Sequence, residues 1–150
     1  MDDPRDFLAV ARLFITPGAK IPATALGYRT AISRSYYALY NVVCEVLDRA
    51  EIEILQRYKG HDLAKQVLMF CNDEIAKAVG HDLKSLQQQR WSADYDMKDK
   101  TIGSERTAIA CVKQATEAIE NLDTADFDAL KQHLKQWVQA HPGNGLKNKT

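Results

Sequence analysis

Residues 23–49 are apolar on more than one side, and this long segment restricts the possible folds more than any other feature. Apolar and small side chains recur there at steps of three and four residues, which is the spacing of a helix. A helix with so little polar surface needs neighbours around most of its circumference. We therefore expect a central helix in an all-α fold. The two sets of side chains are Ile32, Tyr36, Leu39, Val43 and Val46, and Leu26, Thr30, Ser33, Tyr37, Tyr40, Cys44 and Leu47.

The flanking segments show helical spacing as well. Asp3 and Pro4 predict the start of a first helix, and the prolines and glycine of residues 16–22 predict its end. Apolar spacing weakens between residues 50 and 60, which indicates a loop or short turn. Further helices are predicted at 61–78, around 83–91, after an N-cap at Ser104 and after an N-cap at Thr124. No strand is needed to account for the pattern.

Length and composition indicate one small domain. The chain has 150 residues, so we expect a single domain at 1–140 and a flexible tail at 141–150. Twenty basic and twenty acidic side chains cancel, so any contact with nucleic acid requires a local patch. The cysteines Cys44, Cys71 and Cys111 show no C-x-x-C spacing and are expected to be reduced. No apolar run could span a bilayer, so we expect a soluble, cytoplasmic protein without membrane contact.

Several classes of catalytic and metal site find no support in the sequence. The histidines at 61, 81, 133 and 141 form no pair at ligand spacing within one helical turn. There is also no glycine-rich phosphate loop and no G-x-S-x-G segment. We expect neither a metal site nor a cofactor.

The polar edge of the long helix is a candidate binding surface. Arg34, Tyr37 and Asn41 follow at three- and four-residue steps and can project from one face. A guanidinium can hold a phosphate through two parallel hydrogen bonds, and tyrosines can stack on bases. The segment RWSADYD at 90–96 adds the candidates Arg90, Asp94 and Tyr95. A purely structural alternative is an ion pair from Arg34 to Asp94 or Asp96 that ties two helices together.

Two blocks of sequence resemble one family. AISRSYYALYNVV at 31–43 resembles the signature helix of HEPN domains, and residues 86–96 resemble the second block of a bacterial and archaeal branch. The resemblance implies an up-and-down bundle of about five helices and frequent homodimers. It also implies association with RNA or nucleotides, as in metal-independent ribonucleases and toxins that are often paired with a nucleotidyltransferase antitoxin.

The catalytic motif of that family is missing from this chain. Active members resemble one another in an arginine followed after four to six residues by a histidine, whereas only three residues separate Arg57 from His61. Three hypotheses follow. The first is a module of a toxin-antitoxin-like system that binds RNA, a nucleotide or a partner. The second is a ribonuclease in which Arg34 or Arg90 stabilises the phosphate and Tyr95, Asp94 or His61 transfers protons. The third is a structural helical adaptor.

Overall fold

The computed structural model describes residues 3–18 and 24–149, and helices make up most of this part of the chain. The described residues form six α-helices and one small sheet, which confirms the all-α class. The helices are α1 Asp6–Leu13, α2 Ala25–Arg49, α3 Gly60–Phe70, α4 Glu74–Tyr95, α5 Glu105–Thr124 and α6 Phe127–Ala140, with a 3₁₀ turn at Arg57–Lys59 and strands β1 Ile52–Ile54 and β2 Leu146–Asn148.

The helix α2 lies at the centre of the bundle, as its apolar pattern predicts. Helices α1, α4 and α5 pack around it, and α3 packs against α4. Ile32, Tyr36 and Leu39 of α2 are completely buried. The burial of these side chains stabilises the domain through the hydrophobic effect.

Three helix boundaries differ from the prediction. Helix α1 begins at Asp6 with Arg5 rather than Asp3 at its N-cap. The helix predicted at 61–78 ends at Phe70, because the side chain of Asp73 accepts the N–H of Ala76 at 2.9 Å and starts a new helix. The predicted N-cap Thr124 is instead the last residue of α5, and Asp126 caps α6 by accepting the N–H of Ala129. Ser104 caps α5 as predicted.

The chain contains a small sheet that periodicity did not indicate. β1 and β2 pair antiparallel, with Ile54 opposite Leu146, and Leu146 is buried. The absence of strands was therefore a wrong prediction, and residues 146–148 are not part of a flexible tail. Strands of three residues are too short to show an alternating pattern.

The other expectations concern short segments and thiols. The predicted break at 16–22 lies partly outside the described residues, while Thr16 to Gly18 are non-helical.

Cys71 and Cys111 are buried free thiols, and burial raises the pKa of each to about 11. Cys44 is half-buried and also free. None of the described helices is both long and apolar enough to cross a membrane.

Candidate functional site

A buried arginine, Arg29, fixes the end of α4 where the second sequence block lies. Its guanidinium donates to the carbonyls of Ser92 and Ala93, each at 3.1 Å, and to that of Asp99 at 2.7 Å. The last carbonyls of a helix lack intrahelical partners and carry partial negative charge, so a cation is stabilised there. Arg29 is only 5% exposed. It therefore connects α2 to the end of α4 without any carboxylate partner among the described residues.

Arg90 lies between α4 and the tyrosines of α2. One terminal nitrogen donates to Asp94 at 3.3 Å and to the hydroxyl of Tyr37 at 3.4 Å. The guanidinium also lies 5.3 Å from the ring centroid of Tyr36 and 5.5 Å from that of Tyr37. Such positions favour cation–π attraction, which grows when the cation is removed from water. The Nε atom of Arg90 is buried and finds no hydrogen-bond partner in the described part of the chain.

Three rings of α2 form a tyrosine cluster, made of Tyr36, Tyr37 and Tyr40, and His61 packs against all three. The His61 ring stacks on Tyr40 with centroids 3.9 Å apart, and its Nδ1 is hydrogen-bonded to the Tyr36 hydroxyl. Gly60 makes this approach possible, because a Cβ there would lie 2.8 Å from the Tyr40 hydroxyl oxygen. Helix α3 therefore begins against the tyrosine cluster and brings a histidine close to Arg90.

Burial and charge shift the proton equilibria in this cluster. Burial lowers the pKa of His61 below its ordinary value, and the positive charge of Arg90 lowers it further, while Asp62 opposes the shift. Burial also raises the pKa values of Tyr36 and Tyr40. Both shifts favour the uncharged forms, which are the neutral imidazole of His61 and the protonated phenols of Tyr36 and Tyr40. Within the described part of the chain, no group hydrogen-bonds the Nε2 atom of His61.

Three predicted site residues, Arg34, Tyr37 and Asp94, line one depression of about 320 Å³. We call it the α2–α4 cleft. Its Asp94 carboxylate accepts from Ser33 at 3.4 Å as well as from Arg90. The full lining consists of Leu26, Arg29, Thr30, Ser33, Arg34, Tyr37, Ala93, Asp94 and Met97.

The Arg34 guanidinium is exposed and lies 5.6 Å from the ring centroid of Phe7. No carboxylate of residues 3–18 or 24–149 forms an ion pair with it, since Asp94 pairs with Arg90 and Asp96 accepts the backbone N–H of Lys98. The alternative of an ion pair from Arg34 to Asp94 or Asp96 was therefore wrong. The cleft presents a cation at its edge, while its one carboxylate is already occupied.

Two other predicted site residues lie elsewhere. The side-chain amide of Asn41 donates to the carbonyl of Tyr37 at 2.8 Å, and Asn41 lines a separate cleft of about 550 Å³ near β1. Tyr95 does not line the α2–α4 cleft and is 65% exposed. Arg90 does not line the α2–α4 cleft but donates to Asp94 and Tyr37, which do. The structure thus brings Arg34, Tyr37, Arg90 and Asp94 together.

Sequence reasoning missed the role of Arg29 and the placement of His61 and Arg90 against the same tyrosine cluster. Arg29 precedes Ile32 and Tyr36 by three and seven residues, so an arginine on the buried face of α2 was a readable signal. No local pattern indicated the approach of His61, because His61 and Arg90 lie on different helices.

Within the described residues, no group of three or more His, Cys, Asp or Glu side chains could hold a metal ion.

Comparison of the chain with family models, curated proteins and solved structures found no match.

Proposed function

We propose that this protein is a HEPN-type module that binds the phosphate of RNA or a nucleotide in the α2–α4 cleft. The observation that carries the proposal is the Arg34 guanidinium, which is exposed at the cleft and unpaired by any carboxylate of the described residues. A guanidinium matches a phosphate through two parallel charge-assisted hydrogen bonds. The resemblance of residues 31–43 and 86–96 to HEPN blocks supports the same ligand class.

The surroundings of Arg34 favour an anion. Asp94 accepts hydrogen bonds from Arg90 and Ser33, so the positive charge of Arg90 already compensates part of its negative charge. Arg29, which is buried, adds a second positive charge to the cleft lining. Tyr37 also lines the cleft and can contact a sugar or base. Binding of a phosphate by these side chains requires no proton-transfer group inside the cleft.

Substitution of Arg34 tests the proposal directly. Binding of a fluorescent single-stranded RNA and of a nucleotide is measured by anisotropy at several salt concentrations. Loss of one phosphate contact should weaken binding of Arg34→Ala and reduce the salt slope by about 0.7 for single strands. Arg106→Ala, an exposed arginine of α5, serves as the matched control. Unchanged binding of every probe by a folded Arg34→Ala protein would overturn the proposal.

The cellular role inferred from the resemblance is that of a toxin-antitoxin-like component, with homodimers and a nucleotidyltransferase as the expected partners. Expression of the chain alone in a bacterium should arrest growth if it acts as a toxin, and Arg34→Ala or Arg90→Lys should relieve the arrest. Growth that is identical with and without the wild-type chain would count against a toxin role. Sedimentation of the purified chain measures the expected dimer.

A metal-independent ribonuclease is a second candidate, supported by the approach of His61 and Arg90 to the same tyrosine cluster. With the Nδ1 proton donated to the Tyr36 oxygen, the Nε2 lone pair of neutral His61 can accept the proton of a 2′-hydroxyl. The 2′-oxygen then attacks the adjacent phosphorus, the bond from phosphorus to the 5′-oxygen breaks, and a 2′,3′-cyclic phosphate forms. The His61 imidazolium returns its proton to the departing 5′-oxygen. Arg90 would stabilise the charge on the phosphoryl oxygens.

An RNA cleavage assay with chelator at pH 6 to 9 distinguishes the two candidates. For a ribonuclease, His61→Gln should lower the rate by roughly 10²- to 10⁴-fold, while His81→Gln on the exposed side of α4 should leave it unchanged. The products should carry cyclic phosphate ends. Intact RNA under all these conditions would leave binding without turnover as the function. An ion pair between Arg34 and the carboxylates of the second block would have favoured the adaptor hypothesis, and Asp94 pairs with Arg90 instead.

A further inference from the structure

Two large aromatic rings lie on the outer surface of α4 beside the proposed binding cleft. Trp91 is 58% exposed and Tyr95 is 65% exposed. They are four residues apart, so they share one side of the helix. Their ring centroids are 5.7 Å apart and the two ring planes are inclined to each other by 52°. Large apolar side chains grouped on a surface usually mark a binding site.

The aromatic pair adjoins the α2–α4 cleft. Trp91 precedes Asp94, which lines the cleft, by three residues on α4, so the two side chains are neighbours on the helix surface. Leu26 and Met97, two other strongly exposed apolar side chains, line the same cleft. The exposed patch is therefore adjacent to the cation that we assign to phosphate binding.

We propose that Trp91 and Tyr95 form a stacking platform for unpaired bases, so that the preferred ligand is single-stranded RNA. This inference rests on the proposed function, in which the phosphate binds near Arg34. Aromatic rings stack on any base whose face is free, whereas the bases of a duplex are already stacked on one another. A cationic cleft next to exposed rings is the combination that single-stranded nucleic acid requires.

The charge of the cleft disfavours a second copy of this chain as the occupant. In a two-fold symmetric dimer the same surface patch meets itself. A dimer through this face would bring the exposed Arg34 of one copy toward that of the other, while the Asp94 that lines each cleft is already paired with Arg90. An RNA backbone instead supplies the opposite charge at Arg34.

Tryptophan fluorescence tests the platform, because only Trp91 of the two tryptophans is strongly exposed. Trp137 is 8% exposed and stacks on His141, so it should be shielded from an added ligand. We expect an eight-nucleotide single-stranded RNA to quench the wild-type emission, and a duplex of the same length to quench it much less. Trp91→Phe should remove the quenching signal while keeping a ring for stacking.

Affinity measurements by anisotropy complete the test. Trp91→Ala and Tyr95→Ala should each weaken binding of the single strand by roughly 5- to 100-fold, which corresponds to one stacked base. Tyr58→Ala serves as the control, since Tyr58 is an 81% exposed aromatic residue outside both clefts. It should leave the affinity unchanged. Circular dichroism confirms that each variant is folded.

The outcomes separate the platform from the binding proposal. If Arg34→Ala weakens binding but neither Trp91→Ala nor Tyr95→Ala does, the platform is wrong and the phosphate site stands. If duplex and single strand bind and quench equally, the platform is also wrong. If no RNA binds even at low salt, both proposals fail. If Trp91→Ala only converts a dimer to a monomer in sedimentation, the patch is an interface between copies of this chain.

Discussion

Replacement of Arg29 by methionine removes the buried contact that holds the end of α4 to α2. The variant keeps most of the apolar stem but loses three charge-assisted hydrogen bonds, to the carbonyls of Ser92, Ala93 and Asp99. Each such bond has a net value of about 1.5 to 3 kcal/mol, but the part-buried carbonyls of Ser92 and Asp99 regain water and the cost of burying the cation is relieved. We therefore expect the free energy of unfolding to fall by about 3 kcal/mol.

Urea unfolding followed by circular dichroism measures this loss. A chain of this size should also show a melting temperature lower by roughly 10 °C. Arg106→Met is the matched control, because Arg106 is exposed on α5 and its replacement should change stability by less than about 0.5 kcal/mol. Hydrogen exchange should accelerate mainly in the last turn of α4. A loss below about 1 kcal/mol, or exchange that is unchanged there, would refute the role assigned to Arg29.

Three further predictions concern the tyrosine cluster and the small sheet. Gly60→Ala should destabilise the protein by about 1 to 3 kcal/mol, because its Cβ would lie 2.8 Å from the Tyr40 hydroxyl oxygen, and Tyr40→Phe should recover part of the loss in thermal melts. The lowered pKa of His61 means that the unfolded chain binds more protons than the folded chain below pH 6.5. His61 should therefore contribute stability that is fully present above that pH and is lost as the pH falls toward the folded pKa, so urea midpoints between pH 5 and 8 should depend less on pH in His61→Gln. Leu146→Ala should lower the free energy of unfolding by about 2 to 3 kcal/mol, since Leu146 is 5% exposed within the paired strand β2.

Gly60 has a helical φ of −54°, so an added Cβ there strains no backbone, and a Gly60→Ala protein that melts at the wild-type temperature would contradict the contact argument. His81→Gln is the control for His61→Gln. The titration argument would be contradicted if the urea midpoint became less dependent on pH in His81→Gln and not in His61→Gln. Lys147→Ala is exposed on the same strand, and a loss equal to that of Leu146→Ala would show that burial is not the cause.

Long apolar patterns predicted the parts of the fold that depend on helix burial. The two apolar sets of α2 indicated its central position, and Ser104 indicated the start of α5. The division between α3 and α4 was missed, because Asp73 ends one pattern and starts another within a few residues. The strands β1 and β2 were missed because three residues carry no clear period, and because their pairing joins segments over ninety positions apart.

The candidate site was predicted in part. Arg34, Tyr37, Arg90 and Asp94 were readable because they occupy polar positions within two recognisable helical blocks. Asn41 satisfied the same spacing but bonds a carbonyl of its own helix, and Tyr95 of the second block is 65% exposed outside the cleft. Spacing along a helix gives the direction of a side chain and not the element that it meets.

The amino-acid sequence alone determined the helical class, the central helix and the two blocks that resemble a HEPN domain, because these depend on local periodicity and residue type. Only the tertiary structure decided that His61 meets Arg90 through the tyrosine cluster, that Arg29 holds the end of α4, and that Arg34 remains at the cleft edge. Those contacts depend on how separate helices pack, and packing is determined by the combined burial of all the apolar faces rather than by any one segment.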